Sequence, residues 1–192
     1  MDSSMPGPGL AHPTQAVRLA AMREFLGLAP ARLFLGYAAW VLAFALTWHI
    51  RTWLPVTLVA GLFLVAAVGM ALQHWAFPQR PRNDDEVVLW AHIRTVLSVF
   101  WGLGWAGPVM LIVTQPPSIA WVLPLLTLSV AVGLSIAHHS RHPPSAYAFL
   151  FSALVPATLA TALSPYPGVW SLAVAGVLYA VALVLSCRAA HA

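Results

Sequence analysis

Charge is what this sequence has least of. Only 7% of its 192 residues are charged, against about a quarter in soluble chains. That little polar surface excludes an ordinary water-soluble globule. Lysine is absent, and the net charge of +4 comes from nine arginines scattered along the chain. No basic patch alternates with aromatic residues, which argues against nucleic acid as a partner. All five acids, Asp2, Glu24, Asp84, Asp85 and Glu86, lie outside the apolar stretches. An ion-coupled carrier or proton relay needs a carboxylate at depth in the bilayer, and a di-metal centre inside a helix bundle needs carboxylate ligands. The single cysteine, Cys187, has no partner for a disulfide or a CxxC motif. The chain has no Ser/His/Asp arrangement, phosphate-binding glycine loop or CaaX ending, so no catalytic residue is assigned.

Apolar residues make up 60% of the chain. They fall into six stretches, Leu33–Ile50, Leu54–Phe77, Val87–Val113, Ile119–Ala137, Ser145–Leu163 and Gly168–Ser186, each close to the length needed to cross a hydrocarbon core about 30 Å thick. Backbone groups in lipid must be bonded within the segment, so these runs read as helices. The links HIRTW, PQRPRNDDE, TQPPS, HHSRHPP and SPYPG are short and rich in breakers, which predicts antiparallel neighbours in a tight bundle. Pro108, Pro124 and Pro156 fall inside the third, fourth and fifth stretches and predict bends there. Ala153, Ala157 and Thr161 recur every fourth position as a small-residue stripe, suited to packing inside the bundle or against a second copy in a homodimer.

The arginines orient the bundle. Arg18, Arg23, Arg32, Arg80, Arg82, Arg141 and Arg188 fall on one side and Arg51 on the other. The positive-inside rule therefore puts both termini in the cytoplasm of a multi-pass inner-membrane protein. Trp48, Trp53, Trp121, Tyr166 and Trp170 mark the outer interface, and Trp75 and Trp90 the inner one. The fold class is all-α, a polytopic six-transmembrane-helix bundle over residues 31–187. Residues 1–30 form a tail, and 188–192 a short cytoplasmic end. The tail has no cleavable signal. Its segment Thr14–Leu28 is compatible with an amphipathic helix lying on the membrane, or with the soluble start of the first span.

The third stretch carries the densest chemistry. His92 and Arg94 enter the bilayer at its inner edge, and arginine at that depth either snorkels toward headgroups and the Asp84–Glu86 cluster or clamps an anionic ligand. Trp101 and Trp105 follow one turn apart on a shared face, with Gly102, Gly104 and Gly107 beside them. Indoles so placed serve either packing or an apolar pocket for an acyl chain, quinone or isoprenoid. His92, Arg94, Trp101 and Trp105 are therefore the expected ligand-binding residues. Five histidines, His74, His92, His138, His139 and His142, gather near the inner ends of helices, which makes a metal or haem site geometrically conceivable. Their HHxxH spacing is not HExxH, and near-neutral pKa values also suit interfacial or pH-responsive roles.

Arg94 followed by FWGLGW at Phe100–Trp105, the ALVP of Ala153–Pro156 and the SPYPGVW of Ser164–Trp170 carry a family likeness. Over residues 31–187 the chain resembles the N-terminal membrane sensor regions of bacterial signalling proteins, such as diguanylate cyclases, cyclic-di-GMP phosphodiesterases and sensor histidine kinases. The resemblance implies a ligand-sensing bundle whose sixth helix passes a signal to a cytoplasmic effector. That reading requires no cofactor. The competing expectation, a small membrane enzyme or electron carrier, would hold metal or haem on the inner-face histidines.

Overall fold

The computed structural model describes residues 19–20, 23, 37–42, 44–45, 53–76, 83–139 and 142–189. Among them every regular element is helical. The helices are α1 (Trp53–Ala76), α2 (Asp84–Ile112), α3 (Val122–His139, led by the 3-10 turn Ile119–Trp121), α4 (Pro143–Ala162) and α5 (Trp170–Ala189). They match the second to sixth apolar stretches to within a few residues. Of the first stretch, residues 37–42 and 44–45 are described and helical; the rest lies outside the described residues, as does most of Thr14–Leu28.

Four helices, α1, α2, α4 and α5, are long and apolar enough to cross a membrane, and the apolar run Ile119–Ser135 of α3 is shorter. These are the properties of a membrane protein. At 29 residues, α2 spans about 43 Å and exceeds the hydrocarbon core.

Local chemistry fixes the ends. Asn83 caps α2 by accepting the Glu86 N–H at 2.8 Å, and Asp84, Asp85 and Glu86 complement the dipole in its first turn. Pro143 and Pro144 open α4, where a missing N–H leaves no bond unmade. Gly168, with φ of 83°, turns the chain into α5 through a conformation that a side chain would strain.

Helix α2 is the centre of the bundle and packs against α4, α1 and α3, while α5 lies on the outside against α4. Thr95, in the first half of α2, meets Ser145 in the first turn of α4. At the opposite end the Ser164 hydroxyl donates to the Val113 carbonyl at 3.0 Å. These two helices therefore run parallel, joined by α3, which packs beside both. Their approach is close: a Cβ on Gly102 would collide with the Ser152 hydroxyl and lie 2.6 Å from the Phe149 carbonyl oxygen. The Ala153, Ala157 and Thr161 stripe is buried within the bundle, so it serves internal packing. Pro108 and Pro156 stand inside α2 and α4. Pro124 differs from expectation, since it is the third residue of α3, in the first turn where proline is tolerated without bending the helix.

Candidate functional site

Arg94 lies ten residues into α2, about 15 Å along its axis, and its side chain is only 5% exposed. It is packed inside the bundle rather than lying on its surface. Steps of four, three and four residues bring Arg94, Ser98, Trp101 and Trp105 onto one face of α2, and all four are buried. That face looks toward α1 and the helical residues 37–42 and 44–45. Gln73 of α1 is buried there. Its Nε2 donates to the Trp90 carbonyl at 2.8 Å, and its Oε1 accepts from Arg94 Nη1 at a long 3.4 Å. The Ser98 hydroxyl donates to the Arg94 carbonyl at 2.8 Å.

Above the guanidinium stands an aromatic wall. The Tyr37 ring meets Trp101 edge-on at 5.1 Å, Phe63 stacks on Trp101 at 4.4 Å, and Trp40 stacks on Phe63 at 3.8 Å. Trp105 completes the cluster edge-on to Phe63 at 6.3 Å. Two hydrogen bonds tie this wall to the helices, from Tyr37 Oη to the Ala67 carbonyl at 2.9 Å and from Trp40 Nε1 to the Gly104 carbonyl at 2.8 Å. The glycine at 104 permits this approach, because a Cβ would lie 2.7 Å from Phe63 Cδ2. The indoles thus pack against aromatic partners, and an acyl chain reaching them would have to part those contacts.

The other expected residues sit elsewhere. His92 is two residues before Arg94, about 160° around the helix. It is exposed, with Nδ1 at 2.9 Å from the Val88 carbonyl. It does not share the Arg94 face. Instead it neighbours His142, which is buried just before α4 with Nδ1 at 2.7 Å from the Ser145 hydroxyl. Ser145 in turn lies 3.1 Å from the Thr95 hydroxyl. Burial pushes the His142 imidazole below its ordinary pKa, and the nearby His92 acts in the same direction. His74 is half-buried at the end of α1, and the side chains of His138 and His139 lie outside the described residues. Among the described residues no three His, Cys, Asp or Glu side chains converge on one point.

Sequence reasoning missed Gln73, Tyr37, Trp40, Phe63 and Ser145. Gln73 carried a readable signal, because it is the one glutamine inside an apolar stretch, and an amide in a span asks for a partner. The aromatic residues carried none, since nothing in their spacing says which helix they face.

No protein family model matches the chain, and neither the curated proteins nor the solved structures give a match.

Proposed function

We propose that this chain is a membrane-embedded sensory module of the inner membrane, with six spans and both termini in the cytoplasm. It binds an amphiphilic, lipid-like or fatty-acid-like ligand from the surrounding bilayer. The observation that carries the reading is a buried guanidinium, Arg94, on the same face of α2 as Trp101 and Trp105. A guanidinium can form charge-assisted bonds to an anionic headgroup, and indoles suit an apolar tail beside a polar head. His92, on another side of α2, falls outside this face and plays no part in it.

Ligand entry exchanges aromatic contacts for ligand contacts. The tail replaces the packing of Tyr37 and Phe63 on Trp101, so occupancy favours a bundle in which Tyr37 stands away from α2. The outermost helix, α5, buries little besides Ala173 and Cys187. Its displacement costs the least of any described helix, which suits it to carry the change to a cytoplasmic effector. The seven-to-one arginine asymmetry supports the orientation.

Photo-crosslinking with a diazirine-bearing fatty acid tests this reading. Labels are expected on α2 and on the facing Tyr37 and Trp40, and Arg94→Ala should label several-fold less. Labelling that avoids α2, or that is equal in Arg94→Ala, overturns it.

A further inference from the structure

Tyrosine in a membrane bundle belongs at the interfaces, where its ring meets acyl chains and its hydroxyl meets headgroups. Tyr179 stands away from both. It is the tenth residue of the 20-residue α5, about 14 Å along the axis from the first, so its hydroxyl lies near mid-span, where no water competes for it. It donates instead to the main-chain carbonyl of Ser129, in the middle of α3, at 2.7 Å. Gly133, one turn further along α3, leaves room for that approach, since a Cβ there would stand 3.3 Å from Tyr179 Oη.

Resting on the reading of α5 as the output helix, we propose that the bond from Tyr179 to Ser129 is the latch that holds α5 against α3, and that its release is the output movement. The joints around it are of two kinds. Helices α2 and α4 meet almost backbone to backbone at Gly102, and α4 meets α5 at Gly176, where a Cβ would stand 2.9 Å from Thr158 Oγ1. Ala173, buried one turn earlier, continues that small-residue contact. By contrast α5 touches α3 much less than it touches α4, and the tyrosine hydroxyl ties the two across that lighter contact. A swing of α5 about its seam with α4 therefore parts it from α3 first.

The surroundings make the latch two-state. A hydroxyl that leaves its acceptor in hydrocarbon gives up the bond with no water to replace it. The bond is then either made or broken, as a switching element requires. Helix α3 also packs against α2, which carries the ligand face, so a change in α2 reaches the latch through α3 while α4 keeps hold of α5.

The test uses the full-length chain in lipid nanodiscs, with Cys187→Ala so that only introduced thiols react. Spin labels are placed at Leu134→Cys of α3 and Leu185→Cys of α5, both exposed positions, and the distance between them is measured by pulsed electron–electron resonance with and without palmitate. Palmitate should add a longer-distance population to this parent. Tyr179→Phe, which keeps the ring and removes the hydroxyl, should populate the longer distance without palmitate, raising the open-to-closed ratio about fivefold, the weight of one hydrogen bond. Gly133→Ala should act in the same direction by crowding the hydroxyl. Gly61→Ala, where a Cβ meets nothing within 4 Å, should leave the distribution as it is.

An unchanged distribution in Tyr179→Phe overturns the latch, whatever palmitate does to the parent. A shift in Tyr179→Phe with no response of the parent to palmitate leaves the latch standing and overturns the ligand reading beneath it. An equal shift in Gly61→Ala would mark general loosening of the bundle and also overturns the latch. Should Tyr179→Phe fail to fold, Gly133→Ala decides, and an unchanged distribution there refutes the proposal.

Discussion

The contact between α2 and α4 gives the sharpest stability prediction, because one glycine sets its distance. Replacing Gly102 with alanine places a methyl 2.6 Å from the Phe149 carbonyl oxygen and 3.0 Å from the Ala153 nitrogen, besides colliding with the Ser152 hydroxyl. The hydroxyl can rotate away; the two backbone atoms cannot. Ordinary van der Waals contact begins at 3.4 Å, so 3.4 less 2.6 leaves the helices about 0.8 Å too close. Overpacking of this kind costs about 1–3 kcal/mol. For a chain of this length that is a fall in Tm on the order of 2–10 °C, measured in detergent or by denaturant titration. Gly61 is the matched control, since a Cβ there meets nothing within 4 Å. Gly61→Ala should be neutral or stabilising by roughly 0.5–1 kcal/mol, the helix preference of alanine over glycine. If both variants shift stability alike, backbone contact at Gly102 is not what brings α2 and α4 together.

Two further predictions concern the ends of the site. His142 is held below its ordinary pKa of 6.5 by burial and by His92, so the folded chain binds fewer protons there than the unfolded chain. Its contribution to stability is fully present above pH 6.5 and is lost as pH falls through 6.5 toward the lower folded value; Tm measured from pH 8 to 5 should decline less in His142→Gln, and parallel curves would refute the assignment. Trp40→Phe keeps the stacking on Phe63 but deletes the bond to the Gly104 carbonyl. It should cost about 1 kcal/mol, whereas Trp40→Ala, which also leaves a cavity, should cost about 3–5 kcal/mol; equal losses in the two would show that the stack contributes nothing.

The sequence alone determined the helical class, the apolar character and, to within a few residues, the extent of α1 to α5. Those properties follow from local chemistry, unbroken apolar runs between short links; the three acids after Asn83 and the prolines at 143 and 144, read from sequence as link residues, open α2 and α4 in the structure. It also singled out Arg94, Trp101 and Trp105, whose spacing along one helix fixes their common face whatever surrounds them. Facing partners are another matter, because helical periodicity describes one helix and not the rotation of its neighbour. Only the tertiary structure could set Gln73 against Arg94, Phe63 and Trp40 against Trp101, and Ser145 between His142 and Thr95. The same periodicity parts His92 from Arg94, since a step of two residues leaves them nearly opposite around α2. And the tertiary structure decided that the Ala153, Ala157 and Thr161 stripe is spent on internal packing, since Gly102 lets α2 come close enough to cover it.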